Sequence, residues 1–480
     1  MALSSVLFMW TFLPASVILA AFVRRTRVSN ILLLILSLLF YAWGDPGHIL
    51  LLICVTAADY ALGLLLGKHR TRGVLALSVV FNLGVLGVFK YADLLLSTLD
   101  RFVPGDLPRT GGTLPLGISF FTFSALTYLI DLYRGRYPAE KNPLNMALYL
   151  SFFPRILSGP IETYEYFRPQ MENRRMTVDG FAAGLRRFLY GLGKKVLIAD
   201  LCGITVGRIF NLPEQSLSGA GAWIGMILYT LQLYYDFSGY SDMAVGIGRM
   251  FGFTLPENFD YPYLSRTVGE FWRRWHITLG AWFREYLYIP LGGSRKGMRR
   301  TVRNLFIVFA LTGLWHGADW TFVLWGLYQG VFVVLERTLP VGKKQQDGKR
   351  RTLGEALTSS RVIGPIWAPL LWCISLVLFR SSTFAEAADI YRCMFVPSLW
   401  RNAGTFLPQM FTLQTLLAAV FGILGCGPLA AVSRTCRPVG KAAARFKNSA
   451  AEAVYLAFVF FLSVLVLAGG TYQAFIYQRF

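Results

Sequence analysis

Long apolar runs separated by short basic loops fill the chain from end to end. Segments near 3–23, 29–44, 48–67, 73–96, 115–133, 219–236, 362–380, 410–432 and 450–470 each approach the about 20 residues that a helix needs to cross ~30 Å of hydrocarbon. Shorter or interrupted ones lie near 143–160, 196–210, 304–316 and 320–337. The pattern predicts an all-α polytopic membrane protein with roughly a dozen membrane helices and re-entrant segments. Breaks at Gly159-Pro160 and from Gly313 to Gly317 leave backbone groups that lipid cannot satisfy, so both are expected to face protein or a wet cavity.

Charge adds an orientation to this pattern. Basic clusters follow alternate segments: Arg24, Arg25 and Arg27; Lys68, Arg70 and Arg72; Arg134 through Lys195; Arg295 through Arg303; Lys343 through Arg351; and Arg434 through Lys447. Loops such as Asp45-Pro46 and 97–114 are sparse in Lys and Arg. The positive-inside rule then puts these clusters in the cytoplasm and both termini outside. Both ends of 304–337 fall on the cytoplasmic side, which makes His316 the apex of a membrane-embedded hairpin. The segment 340–361, rich in Lys, Gln and Gly, is expected to be a flexible linker. The whole of 1–480 is expected to form one membrane-embedded domain ending in an extracytoplasmic tail, 471–480. No charged region precedes the first apolar run, so 3–23 is expected to remain as a span.

Composition agrees. The 480 residues are 55% hydrophobic and 15% charged, and 47 Lys+Arg against 26 Asp+Glu leave a net charge of +21. No basic stripe sits on a soluble domain, so the charge is read as basic loops retained on the cytoplasmic side of a bilayer, with membrane lipid and no nucleic acid among the expected partners. The six cysteines are scattered without a CxxC pair or a histidine at ligand spacing, so neither a metal site nor a disulfide framework is expected. Four histidines are present in all. His316, flanked on both sides by apolar sequence, stands out because an ionisable group at membrane depth is costly to keep without a use.

Several motifs together resemble the membrane-bound O-acyltransferase family, and within it the branch holding the alginate and peptidoglycan O-acetylation membrane subunits. They are PLGISFFTF at 115–123, Phe152-Phe153-Pro154-Arg155 with Gly159-Pro160-Ile161, YYDFSGYSDMA at 234–244 and PENF at 256–259. Tyr261-Pro262-Tyr263-Leu264, FWRRWHITL at 271–279, Tyr286 to Gly293 and GLWHGADWTFVLWG at 313–326 complete the set. The resemblance implies helices around a central tunnel, entered from the cytoplasm and from outside, with His276 and His316 at the junction. It implies a multi-pass protein of the bacterial cytoplasmic membrane. Its donor would be acetyl-CoA, a substrate and not a resident cofactor, and its acceptor an extracytoplasmic polysaccharide.

Histidine suits such a junction, since an imidazole with an ordinary pKa of ~6.5 can take a hydroxyl proton near neutral pH. His316 is accordingly assigned as general base and His276 as the group that positions or polarises the thioester. Asp236, Ser238, Tyr240, Asp242 and Asn258 are expected to line the tunnel, with Asp236 holding an arginine or an imidazole. Arg273, Arg274 and Arg284, with Trp315, are the expected coenzyme A contacts.

The tail Tyr472 to Phe480 resembles the Phe-x-Tyr-x-x-Phe endings of this branch, with Gln478 and Arg479 where a more aromatic ending is usual. The resemblance implies that Tyr477 carries acetyl as an activated aryl ester. No Ser/His/Asp set on a soluble domain is present, so an extracytoplasmic SGNH-type acetyltransferase is the expected partner for delivery. D-alanyl or other acyl transfer is the alternative within the enzyme class. A polysaccharide transporter or exporter subunit is the alternative outside it, although the paired repeats common in transporters are missing.

Overall fold

The computed structural model describes residues 2–100, 102–103, 107, 109, 111–212, 217–342, 350–400, 411–470 and 475. They are predominantly helical, with one two-stranded sheet among them. Among the described residues six helices are long and apolar enough to cross a bilayer: Thr26–Gly44, Ile49–Lys68, Arg72–Leu99, Ile363–Arg380, Leu413–Thr435 and Ala450–Ala468. Half or more of each lies outside the protein interior, exposing residues such as Leu50, Val80 and Val454. Such apolar stripes suit lipid, and only Leu413–Thr435 among the six is interrupted by a turn, at 426–427. The first apolar run forms a shorter helix, Phe8–Phe22.

The chain divides into two compact units. One comprises Met1–Gly191, Tyr240–Glu257 and Phe475–Phe480. Its centre is the helix Ile118–Arg134, enclosed by its neighbours and not faced by lipid as the apolar run at 115–133 suggested; every residue from Ile118 to Leu129 is buried. Gly117 and Gly135 bound it in left-handed backbone, at φ 68° and 80°. A Cβ on Gly117 would stand 2.1 Å from the Ile156 carbonyl oxygen, so this entry turn admits only glycine. The Gly159-Pro160 break is buried in protein, as expected, and there the Gly159 N–H donates to the Arg155 carbonyl at 3.0 Å.

The other unit comprises Leu192–Gly239 and Asn258–Ala474. Its centre is the antiparallel pair Met298–His316 and Trp320–Thr338, with His316 closing the first helix and the turn at 317–319 forming the apex. Gly313 was expected to break the backbone. Instead it stays helical, and its missing side chain lets the two helices touch: a Cβ there would lie 2.2 Å from the Phe322 carbonyl oxygen, and one on Gly326 2.2 Å from that of Phe309. The break comes at Gly317, in extended conformation.

The 340–361 segment, expected as a linker, carries structure at both ends. Pro340–Val341 pairs with Arg351–Thr352, and Leu353–Ser359 is a helix opened by a Thr352/Glu355 capping box. Residues 343–349 lie outside the described residues.

The longest helix among the described residues, Gly219–Met250, has 32 residues, about 48 Å at 1.5 Å each. The apolar pattern places its end near 236, but the helix continues through the polar YSDM run because its buried carboxylates are paired. Within its own unit Asp236 meets Lys195 at 2.7 Å, and in the other unit Asp242 meets Arg187 at 2.6 Å. Counting charges assigns both cations to cytoplasmic loops, yet Lys195 is only 3% exposed.

Candidate active site

His276 stands where the FWRRWHITL block stops being one helix. Val268–Arg274 ends, Trp275 turns extended and bridges Phe259, and His276 takes left-handed backbone at φ 44°, ψ 55° before Ile277–Phe283 begins. A non-glycine residue in that region is strained and must be held by its surroundings. Asn258 does the holding. Its backbone carbonyl accepts from the Ile277 N–H at 3.0 Å, and its side-chain oxygen accepts from the Thr278 N–H at 3.2 Å and the Thr278 hydroxyl at 2.7 Å. The same Oδ1 lies 3.4 Å from His276 Nδ1.

Because the Thr278 backbone can only donate, the amide atom facing it is oxygen, and His276 Nδ1 must carry the proton. The lone pair of the neutral ring is therefore on Nε2, which has no hydrogen-bond partner among the described residues. Phe237 meets the ring edge-on at 4.7 Å.

His316 is 1% exposed, as is His276. Trp315 joins the two imidazoles, 5.7 Å from His276 and 4.8 Å from His316 between ring centres. Trp325 at 5.0 Å and Phe379 at 5.5 Å complete an aromatic cage around His316. Ser375 orients that cage, its hydroxyl accepting from Trp325 Nε1 at 3.2 Å and from Gln329 Nε2 at 2.9 Å. Gln329 in turn accepts from Trp272 Nε1 at 3.3 Å. Glu336 clamps the start of the Val268–Arg274 helix, accepting from the backbone N–H of Val268 at 2.6 Å and Gly269 at 3.0 Å, and from Trp367 Nε1 at 3.0 Å.

Other expected residues distribute as follows. Asp236 pairs with Lys195, which also meets Asp200 at 2.6 Å; all three are at most 3% exposed. On a helix, Asp236 and Tyr240 share one face and Ser238 and Asp242 the opposing one, so these four do not point in one direction. Tyr240, in its own unit, stacks on Phe475 at 4.7 Å, and Asp242 is taken by Arg187, which also pairs with Glu257 at 2.5 Å.

Of the expected coenzyme A contacts, Arg274 is engaged by Glu270 at 3.0 Å and Asp260 at 3.1 Å. Arg273 and Arg284 are exposed, and Trp315 belongs to the histidine cluster itself. Tyr477 lies outside the described residues. No group of His, Cys, Asp or Glu that could hold a metal ion occurs among the described residues.

Lys195, Asp200, Gln329, Glu336 and Ser375 were missed in the sequence. A signal existed for one pair: Asp200 interrupts the apolar stretch at 196–210, and a carboxylate there demands a cation.

The fold and the site define a helical membrane protein that keeps two imidazoles enclosed beside one tryptophan. A model of the membrane-bound O-acyltransferase family matches residues 134–344. The chain is 40% identical over 442 residues to the probable alginate O-acetylase of Pseudomonas aeruginosa, covering 88% of this chain and 82% of that protein. It is 36% identical to the probable alginate O-acetylase of Pseudomonas putida over the full length of both. It is also 36% identical over 366 residues to the peptidoglycan O-acetyltransferase of Helicobacter pylori, covering 69% of each. The chain belongs to the membrane-bound O-acyltransferase family and is an O-acyltransferase.

Proposed function

We propose that the protein carries acetyl from cytoplasmic acetyl-CoA across the membrane to hydroxyl groups of an extracytoplasmic, alginate-like or peptidoglycan polysaccharide. The observation that carries this reading is the enclosed His276–Trp315–His316 cluster at the apex of the hairpin. A base inside the protein lets a thioester from one side meet a hydroxyl from the other without a continuous aqueous leak.

In the first step His316 takes the proton of the attacking hydroxyl as its oxygen bonds to the thioester carbonyl carbon. Collapse of the tetrahedral intermediate breaks the carbon–sulfur bond, and the imidazolium returns its proton to the leaving thiolate, giving ester and free coenzyme A. His276, with Nδ1 committed to Asn258, presents a lone pair at Nε2. It therefore orients a donor, either the acceptor hydroxyl or an amide N–H of the pantetheine arm, and does not itself polarise the carbonyl while neutral.

The attacking hydroxyl in this reading is the Tyr477 phenol, and a partner transferase of the SGNH type then moves acetyl from it to the polymer. Supplying acetyl-CoA labelled in the acetyl group to membranes with polymer is expected to label both the polymer and the peptide holding Tyr477. Transfer of alanine in place of acetyl would support the D-alanyl alternative. Full polymer labelling by Tyr477→Phe would remove the relay while leaving the acetyl reading intact.

Asn258→Ala frees the His276 ring to take the other tautomer. It is expected to lower kcat about 10- to 100-fold with little change in KM for acetyl-CoA. Asn258→Asp keeps the accepting oxygen and should recover much of that loss. Equal activity of native protein and Asn258→Ala, with melting temperatures measured alongside, would show that the tautomer does not matter.

A further inference from the structure

We infer that the short helix Arg437–Phe446 is an interfacial element whose basic face binds anionic phospholipid headgroups. Connectivity confines it to the bilayer surface: the span Leu413–Thr435 ends two residues before it, and Ala450–Ala468 starts four residues after it. Every residue of it except Gly440 is exposed.

At about 100° per residue its side chains separate into three sectors. Arg437, Lys441 and Arg445, at four-residue spacing, form one. Val439, Ala442, Ala443 and Phe446 lie opposite them. Gly440 falls in the third, and there a Cβ would stand 2.6 Å from the Ser433 carbonyl oxygen, so this sector is the one turned to the preceding helix. The protein thus secures the helix at Gly440 and, through Phe446 against Tyr455 at 6.0 Å between ring centres, at its end, and leaves the cationic side and the apolar Val439, Ala442 and Ala443 exposed.

Charge identifies what covers them. No acidic residue occurs between Pro428 and Ala451. Arg434, just ahead, is drawn to Asp260 at 3.5 Å, whereas Arg437, Lys441 and Arg445 meet no acid among the described residues. A helix with an apolar side and a lysine- and arginine-rich side, attached at both ends to spans, lies in the headgroup region with its apolar side toward the acyl chains. Its cations then face lipid phosphates, and anionic lipid holds it more tightly than zwitterionic lipid does.

The test is hydrogen–deuterium exchange on the full chain in nanodiscs of phosphatidylcholine alone or with phosphatidylglycerol. Amides of 437–446 should exchange about tenfold more slowly in the anionic discs, and 0.5 M salt should abolish the difference. The variant Arg437→Gln/Lys441→Gln/Arg445→Gln should show no lipid dependence, with the exchange of the spanning helices unchanged as a folding control. Equal exchange of the native protein in both discs overturns the proposal. So does a lipid effect that persists in the triple variant, or an equal slowing in neutral discs when acetyl-CoA is added, which would assign the cations to the donor.

Discussion

Replacing His316 with alanine is expected to lower polymer acetylation by about 10²- to 10⁴-fold while the protein still accumulates in the membrane. The size follows from the site's composition. Among the described residues the apex of the hairpin offers two imidazoles and aromatic rings, and of these only an imidazole can remove a hydroxyl proton near neutral pH. His276 cannot substitute easily, because its backbone is held by Asn258 in a left-handed turn that fixes where Nε2 lies.

Folding should survive. His316 packs against the rings of Trp315, Trp325 and Phe379, and that cage is oriented from outside by Ser375. The cage adds a condition. With His316 only 1% exposed, its proposed role as base requires one of those rings to turn aside, so Phe379→Leu is expected to alter KM before kcat. Acetyl content of the polymer, measured by mass analysis in cells expressing each variant, decides the matter. Unchanged acetylation by His316→Ala, at native protein levels, would remove His316 from the chemistry.

The hairpin and its apex are legible in the sequence because two independent signals agree. Apolar stretches flank His316, and basic residues lie beyond both of their outer ends. The six helices among the described residues that are long and apolar enough to span are legible too, because each is a nearly continuous apolar run. What escapes is every contact made across large sequence separations by side chains with an ordinary local meaning. Lys195 looks like one more cytoplasmic cation, since it follows Lys194. It is buried because Lys194–Asp200 winds as a π-helix, which brings Asp200 to it at a five-residue spacing that no α-helical pattern suggests, and because Asp236 reaches it from another helix. The left-handed turn at His276 is equally hidden: a histidine between two helical segments carries no mark of its φ, which only the Asn258 contacts explain. The clamp of Glu336 on the Val268–Arg274 helix reads in the sequence as a charge near the end of a span.

The buried Asp200–Lys195–Asp236 group predicts a second large effect, with a definite order among variants. Lys195→Met leaves two carboxylates buried without their shared cation and is expected to cost about 3–5 kcal/mol of stability. Asp236→Asn should cost less, because Lys195 and Asp200 then remain as a balanced pair. The triple change Lys195→Met/Asp200→Asn/Asp236→Asn removes all three charges and should recover most of the loss, since a neutral, similarly shaped group need not be compensated. Thermal unfolding of the purified protein in detergent measures the series, and a Lys195→Met protein as stable as the native one would deny the group any structural weight. Activity should follow stability imperfectly. Asp236 immediately precedes Phe237, whose ring meets His276 edge-on at 4.7 Å. The ion group thus ties down the same turn of the Gly219–Met250 helix that carries the wall against His276, and losing its charges is expected to disturb how that ring is held. A triple variant that regains its melting temperature but not its acetyl transfer would show that these charges hold the imidazole in register as well as holding the fold together.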